Sequence, residues 1–454
     1  MELRRDDPLP LHHQLERELR GAIRSGRLAA DTALPSSRAL AAQLGLSRGV
    51  VVEAYEQLVA EGYLASRPGG ATRICARSAA ISASLAGKAA ALAPRFDFHY
   101  GRPDVTQFPR QAWLRSLRRV LNDCPSDRLS YLDSRGAPEL REALATYLNR
   151  VRGTAGSPER MVITNGFAQG MGLLTQVVAS IGGKRLAVEE PGQRDIIRAV
   201  RQAGLEPVPV AVDEQGLRVD LLGRADADAV LVTPAHHFPT GAVLSADRRA
   251  ALVAWALNGR RLILEDDYDA EYRYDREPIG ALQGLAPEQV VYAGSASKTL
   301  APGLRLGWLI VPRRLVAAVA AAKDAADRGS ASLEQLAFAD FLSRGDFDHH
   351  LRRMRPIYRA RRDALLDAMR RHVPELRPAG ASAGLHVIAW LPPATEESAV
   401  IERAAAVGVA IDGLAPYYAG GRDGPGGLLF GYGTLTETEI EEGIRLVAKA
   451  LRLA

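Results

Sequence analysis

Cysteine and lysine are the scarce residues of this 454-residue chain. Its two cysteines, Cys75 and Cys124, are too few and too far apart for a disulfide framework or a thiolate metal cluster. A reducing compartment, the cytoplasm, is expected. No run approaches the roughly 18 uninterrupted apolar residues of a membrane helix, because polar residues break every alanine-rich stretch, so no membrane partner is expected. The opening Met1-Glu2-Leu3-Arg4-Arg5-Asp6-Asp7 lacks the basic-then-apolar order of a secretory signal, and secretion is not expected. Of the 58 basic residues only Lys88, Lys184, Lys298, Lys323 and Lys449 are lysines. Where such a chain sets a lysine in a small, hydroxyl-rich turn, as at Lys298, the question is whether a primary amine is needed there.

What is present is a globular composition, 47% hydrophobic and 24% charged, in a chain long enough for a small domain and a large one. The net charge of +5 permits nucleic-acid binding without singling it out.

Residues 1 to about 75 read as three short helices and a hairpin. Leu11, Leu15, Leu19 and Ile23 fall on one helical face, and the first helix ends near Gly26. Pro35-Ser36-Ser37 starts a second helix that runs to about Leu44. After the Gly45-Leu46 turn, Ser47 caps a third, with Val51, Ala54, Tyr55 and Leu58 facing inward. Tyr63-Leu64-Ala65 and Thr72-Arg73-Ile74 bracket the turn Pro68-Gly69-Gly70, the outline of a wing. Residues 76–95, mostly alanine and serine, read as a linker with partial helical order.

From residue 96 to 454, short β-rich runs at 185–189, 229–233, 261–265, 290–293 and 306–311 alternate with helical patterns. The alternation predicts an α/β domain on a mostly parallel sheet, with a smaller subdomain from about 345. Several strands end in polar residues, notably Glu265-Asp266-Asp267 and Gly294-Ser295, where open α/β sheets place ligands.

The ordered run from Leu34-Pro35-Ser36-Ser37-Arg38 through Leu44-Gly45-Leu46-Ser47-Arg48 to Glu61-Gly62-Tyr63-Leu64 resembles the GntR family of winged-helix regulators. The resemblance implies that the third helix lies in the major groove of double-stranded DNA. It places Ser36, Arg38, Ser47, Arg48 and the wing residue Gly69 on the DNA-binding face, the arginines reaching guanine edges or phosphates. Gly49 stands where the family usually has threonine. Bulk charge does not argue for DNA, since residues 1–75 carry ten arginines against nine acids; the alternative is a three-helix interaction module.

In Gly294-Ser295-Ala296-Ser297-Lys298 through Arg305-Leu306-Gly307, one lysine sits in a small-residue turn with an arginine seven positions on. A primary amine forms a Schiff base with an aldehyde cofactor, and an arginine neutralises a phosphate. With Glu265-Asp266-Asp267-Tyr268-Asp269 upstream, these segments resemble fold-type I aminotransferases, and more closely the MocR branch of GntR regulators, which joins that fold to the winged helix. The resemblance covers nearly the whole chain and implies a pyridoxal 5'-phosphate cofactor. By it, Lys298 carries the Schiff base, Asp266 pairs with the pyridine nitrogen and Tyr268 bonds the ring oxygen. Ser295, Arg305 and the loop-helix start Gly166, Phe167 and Ala168 hold the phosphate. Tyr131 matches a tyrosine reaching a partner subunit's cofactor, which implies a homodimer, head-to-tail in this branch.

Gly101-Arg102-Pro103-Asp104 and Thr233-Pro234-Ala235-His236-His237-Phe238-Pro239 are further matches. His237 replaces the branch's usual glutamine, and Gln193 stands where an aromatic commonly follows Glu190-Pro191-Gly192. At most one of His236 and His237 is expected to face a ligand, and no metal is expected without further ligands at suitable spacing.

Two functions remain open on the residues alone. One is a transcription regulator in which an amino compound, or a B6 vitamer, exchanges at Lys298; the other is a working aminotransferase with an attached DNA-binding unit. Many aminotransferases of this fold bind the substrate carboxylate on an arginine in a late strand. In Leu428-Leu429-Phe430-Gly431-Tyr432 that position falls on Leu429, with Arg422 the nearest arginine. Arg194 and His237 are the candidate effector contacts.

Overall fold

The computed structural model describes residues 3–25, 27–66, 71–75, 94–131, 133–274, 279–393, 395–419 and 424–452. The chain divides into two compact units, Met1–Ala93 and Pro94–Ala454.

In the first unit, α1 spans Leu11–Arg24, α2 Ser37–Leu44 and α3 Arg48–Ala60. Leu15, Leu19 and Ile23 of α1 join Leu40, Ala41, Val51, Ala54, Tyr55 and Leu58 in one apolar core. Gly45 turns the chain between α2 and α3 at φ +63°, a left-handed conformation that costs glycine nothing sterically. Ser36 Oγ accepts from the Ala39 amide at 3.2 Å and Ser47 Oγ from the Val50 amide at 3.4 Å, so each serine caps the helix it precedes. Strands β1 (Leu64–Ala65) and β2 (Arg73–Ile74) pair antiparallel, with buried Leu64 opposite buried Ile74. The wing turn with Gly69, and residues 76–93 of the expected linker, lie outside the described residues. Ser47→Ala is expected to lower the stability of this unit by about 1 kcal/mol, read by calorimetry of the full chain as an earlier first transition.

The second unit is built on an eight-stranded sheet. In spatial order its strands are Met161–Thr164, Gly307–Ile310, Val290–Ser295, Leu262–Asp267, Ala229–Val232, Arg185–Glu190, Glu206–Asp213 and Gly216–Leu217. The pairs within Val290–Ser295 to Glu206–Asp213 are parallel, while Gly307–Ile310 runs antiparallel to both neighbours. The five expected strands are all present. Met161–Thr164, Glu206–Asp213 and Gly216–Leu217 are additional. Central strands are buried on both faces, which explains their unbroken apolar runs. The C-terminal part adds the long helix Asp346–His372 and an antiparallel sheet of Arg377–Ala379, His386–Trp390, Gly427–Gly431 and Asp412–Gly413. Among the described residues no helix is long and apolar enough to cross a membrane.

Candidate cofactor site and DNA-binding face

Sheet register assembles the site. Ser295 lies opposite Gly307, and Gly307 opposite Thr164, so the loop Asn165-Gly166, Ser295 and the turn before Gly307 share one sheet end. On the other side Ala293 is level with Asp266. Residues far apart in sequence thus meet at the carboxyl ends of parallel strands.

At one end of this row, Gly166 takes φ +79° before the helix Phe167–Ser180, whose first turn has no side-chain cap. Those free amides form a ready anion site. Arg305 Nη2 donates to the Asn165 carbonyl at 2.7 Å, and a Cβ on Gly166 would come within 2.7 Å of that same nitrogen. Ser295 closes the strand beside it, 7% exposed. Gly166→Val is expected to displace Arg305 and weaken cofactor retention at least tenfold, roughly the 1.4 kcal/mol worth of one charge-assisted contact, measured by equilibrium dialysis.

At the other end, Lys298 Nζ donates to the Gly101 carbonyl at 2.6 Å and lies 5.2 Å from the Tyr100 ring centre. Burial lowers its pKa; Asp269 and Asp266 oppose that shift. A lysine so desolvated carries more of the neutral, nucleophilic amine. Gly101 is required here, because a Cβ would stand 2.8 Å from Nζ at a φ of +82°.

The acidic run separates into different tasks. Asp267 is consumed by the fold, ion-paired to buried Arg152 at 2.7 Å and bonded by the Tyr292 hydroxyl at 2.6 Å. Asp269 turns to His236. Asp266 is 2% exposed; its Oδ2 accepts from Gln193 Nε2 at 3.2 Å, while its Oδ1 has no hydrogen-bond partner. Burial, then the charges of Asp267 and Asp269, push its pKa well up. A buried carboxylate oxygen left unpaired is costly, and a protonated ring nitrogen is the kind of partner that would satisfy it. Amine, unpaired carboxylate and anion-binding helix start together fit pyridoxal phosphate.

Tyr268 is 9% exposed, its hydroxyl 3.1 Å from His236 Nδ1. The two histidines diverge. His237 is buried with Nδ1 2.7 Å from Thr240 Oγ1 and Nε2 3.5 Å from Glu189 Oε2. Burial, with His236 nearby, lowers its pKa to about 3, and burial raises Glu189 to about 8, so the enclosure disfavours the charged form of each. Beside the site a groove of about 1180 Å³ is lined by Tyr100, Gln193, Arg194, Phe238 and Tyr417, among others, but not by His237. Arg194 opens the helix Arg194–Gln202 and is exposed. Tyr131 is 90% exposed in the single chain and takes no part in the hydrogen bonds around Lys298. Leu429 is fully buried against a cluster that includes Phe238, Tyr268, Ile388 and Leu414. Arg422 lies outside the described residues.

In the first unit, Arg38 on α2 and Arg48 at the start of α3 are exposed, next to the capping serines Ser36 and Ser47. Sequence reasoning missed Tyr100 and His386; Asp269 was visible only as part of the acidic run, and His236 only as one of a pair. His236, Asp269 and His386 also bring three potential metal-ligating atoms within 4.8 Å of one another, as do His12, His13 and Glu16 on α1.

Residues 99–445 match the aminotransferase class I and II family, and residues 11–74 match the bacterial regulatory proteins of the gntR family. The probable rhizopine catabolism regulatory protein MocR of Rhizobium meliloti is 33% identical over 470 residues, covering 99% of this chain and 95% of that protein. The pyridoxine biosynthesis transcriptional regulator PdxR of Corynebacterium glutamicum is 31% identical over 452 residues, covering 98% and 97%. Among solved structures, LysN, the alpha-aminoadipate aminotransferase of Thermus thermophilus, complexed with N-(5'-phosphopyridoxyl)-L-leucine, superposes with a TM-score of 0.70 at 27% identity. That match covers 79% of this chain and 92% of LysN. Fold and site therefore define a fold-type I, pyridoxal-phosphate-binding effector domain joined to a winged-helix DNA-binding unit. The chain belongs to the MocR subfamily of GntR-type transcription regulators.

Proposed function

We propose that this regulator senses an amino compound or a B6 vitamer at Lys298, and that occupancy there changes how the winged helix engages double-stranded DNA. The observation that carries the reading is a desolvated primary amine close to a buried carboxylate with an unpaired oxygen. Pyridoxal phosphate, when bound, supplies an aldehyde that condenses reversibly with a primary amine. Lys298 would hold the group, and its primary amine is the one with which a second amine would compete. Asp266 would pair with the ring nitrogen, Tyr268 with the ring oxygen, and Ser295, Arg305 and the amides of Gly166, Phe167 and Ala168 would hold the phosphate. Tyr131 serves a partner subunit in a head-to-tail homodimer.

Arg194, at the groove, offers a positive charge to an acidic group on the effector. His237 is enclosed with Glu189, so it acts on the effector only from behind the groove wall. The apolar burial of Leu429 favours sensing over general amino-acid transamination, because that strand offers no cation at this position for an α-carboxylate. Domain limits of 1–75, 76–95 and 96–454 and a cytoplasmic location belong to the same reading. On the DNA side, Arg38 and Arg48 contact bases or phosphates, with Gly69 at the wing. Ser36 and Ser47, whose hydroxyls cap helices, set the arginines' starting geometry.

Borohydride reduction of the cofactor-loaded full chain, followed by peptide mass analysis, tests the site. A phosphopyridoxyl mass on the Lys298 peptide is the expected result. The same mass on Lys184 or Lys323, or on no lysine, contradicts it.

A further inference from the structure

The Tyr268 hydroxyl has a neighbour that is itself tightly constrained. His236 Nδ1 lies 3.1 Å from that hydroxyl and 3.0 Å from Asp269 Oδ2, while Nε2 lies 3.1 Å from the Gly380 carbonyl oxygen. His236 and Asp269 are each 2% exposed. Gly384 packs directly on the pair: at φ +76°, a Cβ there would stand 2.3 Å from both Asp269 Oδ2 and His236 Cε1. The pair is therefore gripped by backbone from the segment that joins the strands Arg377–Ala379 and His386–Trp390.

Hydrogen positions follow from the partners. A carbonyl oxygen only accepts, so Nε2 carries a hydrogen. If Asp269 is ionised, its Oδ2 also only accepts, and Nδ1 then carries one too. A ring with both hydrogens is an imidazolium, with Asp269 as its counter-charge. Facing an N–H, the Tyr268 oxygen accepts, and its own hydrogen is left for another acceptor. Were Nδ1 a bare lone pair, Tyr268 would spend that hydrogen on His236.

We propose that His236, held as an imidazolium by Asp269 and Gly380, is a positioning residue that reserves the Tyr268 hydrogen for the ring oxygen of the cofactor. The proposal rests on the cofactor site described above. The surroundings agree with it. Burial disfavours the charged ring, but Asp269 and the Gly380 carbonyl together outweigh it, and the His236 pKa is raised. Arg273 works weakly against the charge. His386, whose ring centre is 5.0 Å away, has its pKa driven well down, first by burial and then by His236, and its Nε2 faces the Pro239 carbonyl. His237 is likewise kept neutral. Tyr268, Asp266, Tyr100, Tyr274 and Tyr432, all pushed up by burial, also feel the Asp269 charge, as does Lys298, whose charge also acts on His386.

The test is a pH titration of the visible absorption of the cofactor-loaded full chain. A hydrogen bond donated to the ring oxygen lowers the proton affinity of the Lys298–cofactor linkage. His236→Asn and Asp269→Asn should therefore each raise the spectral midpoint, by about one pH unit. Tyr268→Phe should raise it at least as far, and adding His236→Asn to Tyr268→Phe should give no further shift. An unchanged midpoint in both His236→Asn and Asp269→Asn would overturn the proposal. So would a shift of equal size with and without Tyr268, because His236 would then act by its charge alone. A visible band in each variant reports that the site is intact. If even the unmodified chain shows no band, the cofactor site itself fails and the proposal with it, an outcome distinct from a band whose midpoint does not move.

Discussion

Lys298→Ala is expected to abolish the visible absorption of the bound cofactor and, with it, every response of DNA binding to amino compounds. The basis is chemical. Lys298 donates to the Gly101 carbonyl and feels the charges of Asp269 and Asp266, and burial holds its pKa down. Lys298→Arg makes the sharper variant, because it keeps a positive charge but offers no amine that condenses with an aldehyde. It should behave as alanine does. Difference spectra and a mobility-shift titration, with and without amino compounds, read both consequences. A variant that still answers to an amine would place the sensor elsewhere.

The second large effect falls on the first unit. Replacing Arg38 and Arg48 together by alanine removes two exposed guanidinium groups, at the second residue of α2 and the first of α3. With roughly 1–3 kcal/mol per specific arginine contact, DNA affinity should fall by about one and a half to four orders of magnitude. The salt dependence should flatten by about one unit of slope for each arginine that contacts a phosphate. The cofactor spectrum should not change. Fluorescence anisotropy on a fragment from the chain's own upstream region, at two salt concentrations, measures both quantities. Undiminished affinity would mean that another face binds DNA.

How much of this was legible in the sequence varied with the range of the interactions. The helices of the first unit were, because their apolar spacing and serine caps are local signals; Ser36 and Ser47 cap where capping chemistry puts them. The central strands were, because burial on both faces leaves unbroken apolar runs. Glu206–Asp213 was not: Pro207 and Pro209 argue against a strand, yet it sits near the sheet edge, where a missing amide is tolerated on the unpaired side. Lys298, Asp266 and Tyr268 were picked out by motif. What Asp267 and Asp269 do was hidden, because Arg152 and His236 come from two other segments. The divergence of His236 from His237 was foreseen as a possibility of loop geometry. Its direction depended on Gly380, over 140 residues on, which no spacing reveals.

The most direct measurement is the visible spectrum of the purified protein during addition of a panel of amino compounds. The expected result is a Schiff-base band that one class of amine shifts to a new, persistent position, with no pyridoxamine and no oxo-acid formed. Stoichiometric oxo-acid, renewed on adding an acceptor, would make the chain a transaminase. No band even after adding cofactor would contradict the Lys298 site altogether.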